Sequence, residues 1–354
     1  MKLGRKISGW LILLVILHAI VIFAGFFAPC DPAKQDRKSP YLPPMRLHFE
    51  DALGHFQTRP FVYSWKVREG TFDQYEEDTA RPLPLKFFVR GHSYRLLGLL
   101  PSRLHLFGAD NESVYLLGSD SYGRDQLSRF LYGGQVSLLA GLLGTGITLF
   151  LGLVVGSVAG YFGGWRDDLL MRIAELFLAL PWLYLLFALR AFLPLAVSSL
   201  QAFFLIIAVL GAVGWARPAR LVRGVVLSSK ERDYVRAARG FGATDGYLLR
   251  LHILPQASSV LLTQAAILVP QFVLAEMTLS FLGLGVPEPV PSWGNLLSTL
   301  QRYSVLVSYW WMYLPALIMV PFFLGYLGLG SRLQKSDEPE KMERNALGAL
   351  GDRI

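Results

Sequence analysis

Six apolar stretches decide what this chain can become: Ile7–Phe27, Ser137–Ala159, Leu169–Leu193, Leu200–Trp215, Ser259–Leu282 and Tyr309–Leu329. A helix needs roughly 20 apolar residues to cross the hydrocarbon of a bilayer, and all six reach or approach that length. Leu200–Trp215 is the shortest. The whole chain agrees with this reading, with 53% hydrophobic residues and only 17% charged over 354 positions and a mean hydropathy of +0.40. Such a balance fits a polytopic membrane protein rather than a soluble domain. The first stretch follows the basic start Lys2, Arg5 and Lys6. Its apolar run is longer than the roughly 7–15 residues of a signal-peptide core, and no small-x-small cleavage site ends it, so it reads as a retained helix.

Charge sets the expected orientation. Arg217, Arg220, Arg223, Lys230, Arg232, Arg236, Arg239 and Arg250 fill the segment between the fourth and fifth stretches, and Arg332, Lys335, Lys341, Arg344 and Arg353 follow the sixth. The segment 194–199 has no Lys or Arg, and 283–308 has only Arg302. Lys and Arg accumulate in cytoplasmic loops, which places both termini and the Arg-rich loop in the cytoplasm. The net charge of +8 then reflects topology and lipid contact, not nucleic acid. The single Cys30 excludes an intramolecular disulfide. The six histidines (His18, His48, His55, His92, His105, His252) lack metal-ligand spacing, and neither a metal nor a cofactor is expected.

Four regions follow: a first helix over 1–28, an external segment over 29–117, a core over 118–335 with a cytoplasmic loop at 217–255, and a cytoplasmic tail over 336–354. In the external segment, the runs Phe61–Trp65 and Lys86–Val89 read as short strands bounded by turn residues, so a small β-containing insertion is expected there.

The loop is the most informative stretch. A helix over about Ser228–Arg239 is expected, capped by Ser228 or Ser229, with Glu231 and Asp233 near its start. Gly240 and Gly242 end it. A second short helix over Ala243–Leu251 follows, capped by Thr244 or Asp245, and Pro255 turns the chain towards the fifth span. Small side chains on such an elbow let another protein approach closely; an Arg-rich amphipathic loop lying at the headgroups would read the same way.

Arg236, Ala237, Ala238, Gly242, Ile253, Leu254 and Pro255 resemble the "EAA" loop through which the permeases of bacterial ABC importers engage their ATPase. Other segments resemble the dipeptide/oligopeptide/nickel permease family, in that family's order. They are Gly118-Ser119-Asp120, Gly123-Arg124-Asp125, Ser128-Arg129, Tyr132-Gly133, Gly160–Trp165, Leu180-Pro181, Leu279–Val286 and Pro291–Asn295. The similarity runs from Gly118 to Gly330. It implies an all-α, six-helix type I importer permease that pairs with a second, non-identical permease. It also implies two ATPase subunits and an external solute-binding protein as partners, in a bacterial inner membrane. The solute it implies is a peptide, with nickel or another small solute on the same scaffold as the alternative. One departure stands out: Arg236 occupies the position where the family often has Glu, so docking by shape carries over and a specific ion pair does not.

No phosphate-binding G-x-x-x-x-G-K-[ST] run occurs, so ATP chemistry is expected on separate chains. A secondary transporter would call for inverted repeats and paired intramembrane charges, and neither is visible. In the fifth span, Gln264, Gln271 and Thr278 recur every seven residues and share a helix face to within about 20° per step. Polar groups in hydrocarbon face an aqueous path or a protein interior. These residues either line the solute route or bridge helices. Glu276 lies off the stripe, about 40° from Ser280, and reads as a gate or surface-level residue. Arg190 is expected to snorkel to headgroups. Gly141, Gly144, Gly152, Gly156 and Gly160 predict close helix contact in the second span.

Overall fold

The computed structural model describes residues 2–51, 54–68, 74–96, 98–109, 112–192, 194 and 197–351, with side chains described from 9 to 334 except at 189. Helices α1 (Lys2–Ile22) and α2 (Ala24–Phe27) lead into strands β1 (His48–Glu50), β2 (Phe56–Val67), β3 (Tyr75–Pro84), β4 (Lys86–Leu96) and β5 (Leu100–Gly108). The rest is helical: α3 (Gln126–Phe162), α4 (Gly164–Ala179), α5 (Trp182–Phe192), α6 (Ser199–Gly214), α7 (Ala216–Lys230), α8 (Asp233–Gly240) and α9 (Asp245–Tyr247), then α10 (Ser258–Phe281), α11 (Trp293–Ser298), α12 (Tyr303–Ser308) and α13 (Leu314–Gly351). A π-helical turn at Leu248–Ile253 and a 3₁₀ turn at Leu254–Ala257 join α9 to α10.

Among the described residues, three helical stretches are long and apolar enough to cross a membrane: Gln126–Phe162, Asp245–Phe281 and Trp310–Gln334. Two bent pairs bring the number to five if each is one span. The α4–α5 pair bends by 93° and the α6–α7 pair by 45°. Pro181 sits at the first break, where its missing N–H and fixed φ interrupt the helix. The described apolar part of α1, Gly9–Ile22, is shorter than a full span.

The chain divides into two compact units. One comprises Met1–Leu14, Leu138–Glu276 and Phe323–Ile354. Its packing is set by glycines on α3. A methyl group built on Gly141 would lie 2.5 Å from Val273 of α10, and one on Gly152 would lie 2.6 Å from Pro218 of α7. At Gly156 it would run into the Ala219 carbonyl, and at Gly160 it would lie 2.9 Å from the Arg223 carbonyl. The four-residue spacing of Gly152, Gly156 and Gly160 keeps these three on one face, so two helix backbones come together where side chains would hold them apart.

The other unit comprises Val15–Ser137 and Met277–Phe322. It holds an antiparallel sheet of order β1-β2-β3 and a separate β4–β5 hairpin. Phe61–Trp65 lies inside β2, and Lys86–Val89 opens β4. Leu42, Met45, Val62, Leu85, Val114 and Tyr115 form a buried cluster against which Trp65 and Leu83 pack. The Ser119 hydroxyl fastens this cluster to the start of α3. It accepts from the Leu42 N–H at 2.8 Å and donates to the Ser39 carbonyl at 2.6 Å.

The glycine face yields a test. Replacing Gly156 with Leu forces bulk against a backbone carbonyl and should cost on the order of 1–3 kcal/mol, with the overpacking limit as its physical origin. Gly146, on the same helix, has open space around its Cα; its replacement by Ala should leave stability unchanged. Thermal unfolding of the two variants in detergent separates them, and equal melting temperatures would remove the glycine contact from the account.

Candidate functional site

The Arg-rich loop folds as an elbow with its own core. α7 runs unbroken to Lys230, so Ser228 and Ser229 are not caps: the Ser228 hydroxyl donates to the Val225 carbonyl at 3.0 Å, and Ser229 is buried. The next helix starts later, with Arg232 at its N-cap and no side-chain cap hydrogen bond, and Asp233 in its first turn. The apolar face of α7 overrides the expected start, because Val222 and Val226 are fully buried and hold that helix together past the serines. The second cap is Thr244, which accepts from the Tyr247 N–H at 3.4 Å.

Between them lies a tight turn. The Gly242 N–H donates to the Arg239 carbonyl at 3.0 Å, and the Ala243 N–H reaches back to Ala238 at 3.1 Å. This pair of bonds is the Schellman ending of a helix, and it requires a left-handed residue after the C-cap. Gly242 supplies it with φ of 88°. The consequence is exposure of the C-cap: Phe241 is 93% exposed. Tyr234, Tyr247 and Leu251 are exposed as well.

Beneath the elbow, Tyr161, Val222, Val226, Val235, Leu248, Ile253 and Ala257 form a buried cluster, with Ala238 packed against it. The predicted loop residues therefore separate into two sets. Ile253 is core, Ala238 is half-buried against that core and Leu254 is half-buried, while Arg236, Ala237, Gly242 and Pro255 are exposed. Polar ties brace the elbow. The Tyr161 hydroxyl bonds Asp245, Arg239 donates to the same hydroxyl at 2.9 Å, and Arg223 grips Asp167 with two bonds of 2.6 Å. Arg236 pairs with Glu231 at 2.6 Å, but both side chains are more than half exposed, so water screens that contact.

In α10, Gln264 is buried and its Oε1 has no hydrogen-bond partner among the described residues. Gln271 is half-buried and lines a cavity of about 290 Å³ together with Pro181, Trp182, Arg217, Leu268 and Phe272. Pro270 precedes it inside the helix, where its ring leaves a backbone carbonyl without its usual donor. Glu276 is fully buried, so it is not a surface-level residue. Thr278 and Ser280 lie in the second unit, half-buried and buried respectively. Of Gln264, Gln271 and Thr278, Gln271 lines that cavity and the other two do not. Arg190 is 1% exposed and donates to the Pro194 carbonyl at 3.2 Å. The chain itself buries this guanidinium, which replaces the expected snorkelling.

A charged site joins the segment before α3 and the first turn of α3 to the loop after α10; its residues lie in the family-like segments, but the sequence assigns them no partner. Arg124 and Arg129 are both buried, and both reach Glu288 at 2.8 Å. Arg124 also pairs with Asp120 at 2.7 Å, whose other oxygen accepts from the Tyr122 and Arg124 N–H groups. Asp125 caps α3 by accepting from the Ser128 N–H at 2.8 Å, while its second oxygen has no hydrogen-bond partner among the described residues. Burial pushes this carboxyl up to about 7, against the hydrogen bonds from Ser128 that favour its charge; nearby Asp120 adds to the rise. The pairing to Glu288 spans 159 residues of sequence, so no local pattern could announce it.

Residues 152–336 match the family described as binding-protein-dependent transport system inner membrane component. The chain belongs to this family. It is 37% identical to the oligopeptide transport system permease protein OppC of Haemophilus influenzae, over 62% of this chain and 70% of that protein. It is 34% identical to the dipeptide transport system permease protein DppC of Bacillus subtilis, over 63% and 68%, and 34% identical to OppC of the same organism, over 68% and 77%. Among solved structures, the MetNI methionine ABC transporter in inward-facing conformations aligns with 58% of this chain and 95% of that chain, at 18% identity and a TM-score of 0.44. The family match contains the whole elbow, the cavity and the Glu288 loop; all five strands precede it.

Two outcomes are expected from this site. Gln271→Leu should alter transport rate or solute preference while the assembled complex still forms, as read by uptake into vesicles. For Asp125, a folded pKa above the ordinary 3.8 means the neutral form favours the fold. That contribution is present below about 4 and lost as pH rises through about 7, a decline on the order of a few kcal/mol. Asp125→Asn keeps the cap and should flatten the fall in thermal stability across that window; an unchanged pH profile would refute the buried charge.

Proposed function

We propose that this chain is one permease subunit of an ATP-driven peptide importer, with six membrane-spanning helices of the type I importer arrangement. α1, the two bent pairs, α3, α10 and α13 supply the six spans. The chain forms half of the solute path beside a second, non-identical permease, and an external solute-binding protein delivers the solute. Two ATPase subunits hydrolyse ATP on separate chains. Both termini and the elbow face the cytoplasm, where Lys and Arg concentrate. Support for the peptide comes from the relatives, which are named for oligopeptide and dipeptide transport. The domain boundaries at residues 28, 117 and 335 follow the same reading.

The observation that carries the coupling role is the elbow itself. Phe241 stands almost fully exposed on a turn locked by Gly242, beside exposed Ala237 and above a buried core. Aromatic residues, Phe among them, are enriched in protein interfaces relative to the rest of the surface. The docking set is therefore Phe241, Ala237, Gly242 and Pro255, with Ala238, Ile253 and Leu254 acting from beneath. Gln264, Gln271, Glu276, Thr278 and Ser280 form the polar side of the path.

Phe241→Ala should weaken co-purification of the ATPase subunits and lower solute-stimulated ATP turnover at least tenfold, the loss of roughly 1.4 kcal/mol or more. Gly242→Val should do the same by undoing the turn, because a β-branched residue avoids positive φ. Arg236→Ala should be mild. Labelled di- and oligopeptide uptake into vesicles holding the whole complex tests the solute, and nickel uptake without peptide uptake would replace it. Full coupled transport by Phe241→Ala and Gly242→Val would refute the coupling role.

A further inference from the structure

Between Asp78 and Asp110 the sequence holds Arg81, Lys86, Arg90, Arg95 and Arg103 and no carboxylate. The acids within the strands lie elsewhere, at Glu50, Glu76, Glu77 and Asp78 in β1 and β3. All five basic side chains are exposed. With them stand exposed apolar groups: Phe87 and Phe88 at 61% and 64%, Leu104, and the hairpin tip Leu99 and Leu100 at 80% and 66%. Phe88 also has φ of 55°. That is the left-handed region, which a bulky residue rarely occupies, and here it presents an aromatic ring outward. Backbone strain of this kind persists where something else makes use of the geometry.

The root of the hairpin is fixed to the end of the first helix. Tyr94 lies so close over Gly25 that a methyl group there would overlap its ring. His105 Nδ1 is 2.8 Å from the Ala28 carbonyl, and the Phe26 and Phe88 rings are 6.3 Å apart. On the same unit, Val15, Ile16, Ile22 and Phe23 of the first helix and its exit are exposed. An open apolar surface therefore runs up the helix and continues onto a hairpin that carries only positive charge. Aromatic and aliphatic side chains backed by Lys and Arg are the composition of segments that lie in the bilayer interface and attract anionic headgroups.

We propose that the β4–β5 hairpin anchors the strand region to the membrane surface at the Ile22 end of α1. Phe87, Phe88, Leu99, Leu100 and Leu104 enter the interfacial layer, and Lys86, Arg90, Arg95 and Arg103 bind the phosphates of anionic lipids. The proposal rests on the reading that α1 crosses the bilayer. A lipid surface is favoured over a protein partner by two features: the apolar groups are continuous with the exposed face of α1, and the charge is of one sign along the whole hairpin.

The test uses the full chain in lipid nanodiscs, in a Cys30→Ser background, with nitroxide labels at Phe88→Cys or Leu99→Cys. Ile16→Cys serves as the control inside the span and Lys66→Cys on β2 as the control in water. Collision of each label with oxygen and with a water-soluble nickel chelate reports its depth. With phosphatidylglycerol present, Phe88→Cys and Leu99→Cys should favour oxygen severalfold over Lys66→Cys. Combining Arg90→Gln, Arg95→Gln and Arg103→Gln should move both labels back towards the Lys66→Cys value. If Ile16→Cys is immersed while both hairpin labels match Lys66→Cys, the anchor is refuted and the span stands. If Ile16→Cys itself meets the chelate freely, the reading of α1 fails and the anchor with it. Equal immersion in phosphatidylcholine alone would overturn the headgroup contact, and shielding that appears only when the solute-binding protein is added would overturn the lipid assignment.

Discussion

Backbone contact along α3 is the constraint on which the first unit depends. Where Gly152, Gly156 and Gly160 meet Pro218, Ala219 and Arg223, α7 lies against α3 at a distance that no larger residue allows. Water supplies no hydrophobic force between helices inside a bilayer, so close packing of small residues is the available source of association. That contact seats Val222 and Val226 in the cluster with Tyr161, Val235, Leu248 and Ile253. The elbow is thereby built on a helix pair rather than hung from a flexible linker. Under the proposed coupling role, motion delivered to the elbow would reach α7 through Val235, Leu248 and Ile253, which share the buried cluster with Val222 and Val226.

The same logic explains why the elbow's outer and inner residues differ. Ala238 is small because it packs inward on the cluster, whereas Ala237 beside it faces outward. Arg236, where the family often has Glu, sits on the outside with Glu231 as its partner. The elbow's shape does not depend on that pair, because the buried cluster and the Gly242 turn define it. The departure from the family pattern thus falls at a position the fold tolerates.

Much of this was legible in the sequence, and the reasons are local. Period and apolarity located the long helices; the four-residue spacing of glycines located their contact; Gly242 located the turn, since only a residue free to take positive φ ends a helix that way. What the sequence hid was of three kinds. The start of α8 differs from the expected Ser228 because burial of Val222 and Val226 carries α7 past two serines that would otherwise cap. The Arg124–Arg129–Glu288 site and the burial of Arg190 depend on residues brought together by the fold, for which a single sequence has no signal. Phe241 carries no sequence signal of its own, because nothing local distinguishes an exposed loop aromatic from a buried one.

The central claim is that the elbow over 233–257 is where the ATPase subunits dock. A photo-crosslinking amino acid at position 241, in the assembled complex with its ATPases bound, tests this most directly. The account predicts a crosslinked product between this chain and an ATPase subunit, and no such product from position 238, whose side chain faces the chain's own core. Crosslinking from 241 only to lipid or within this chain, with the ATPase subunits still bound, would contradict it.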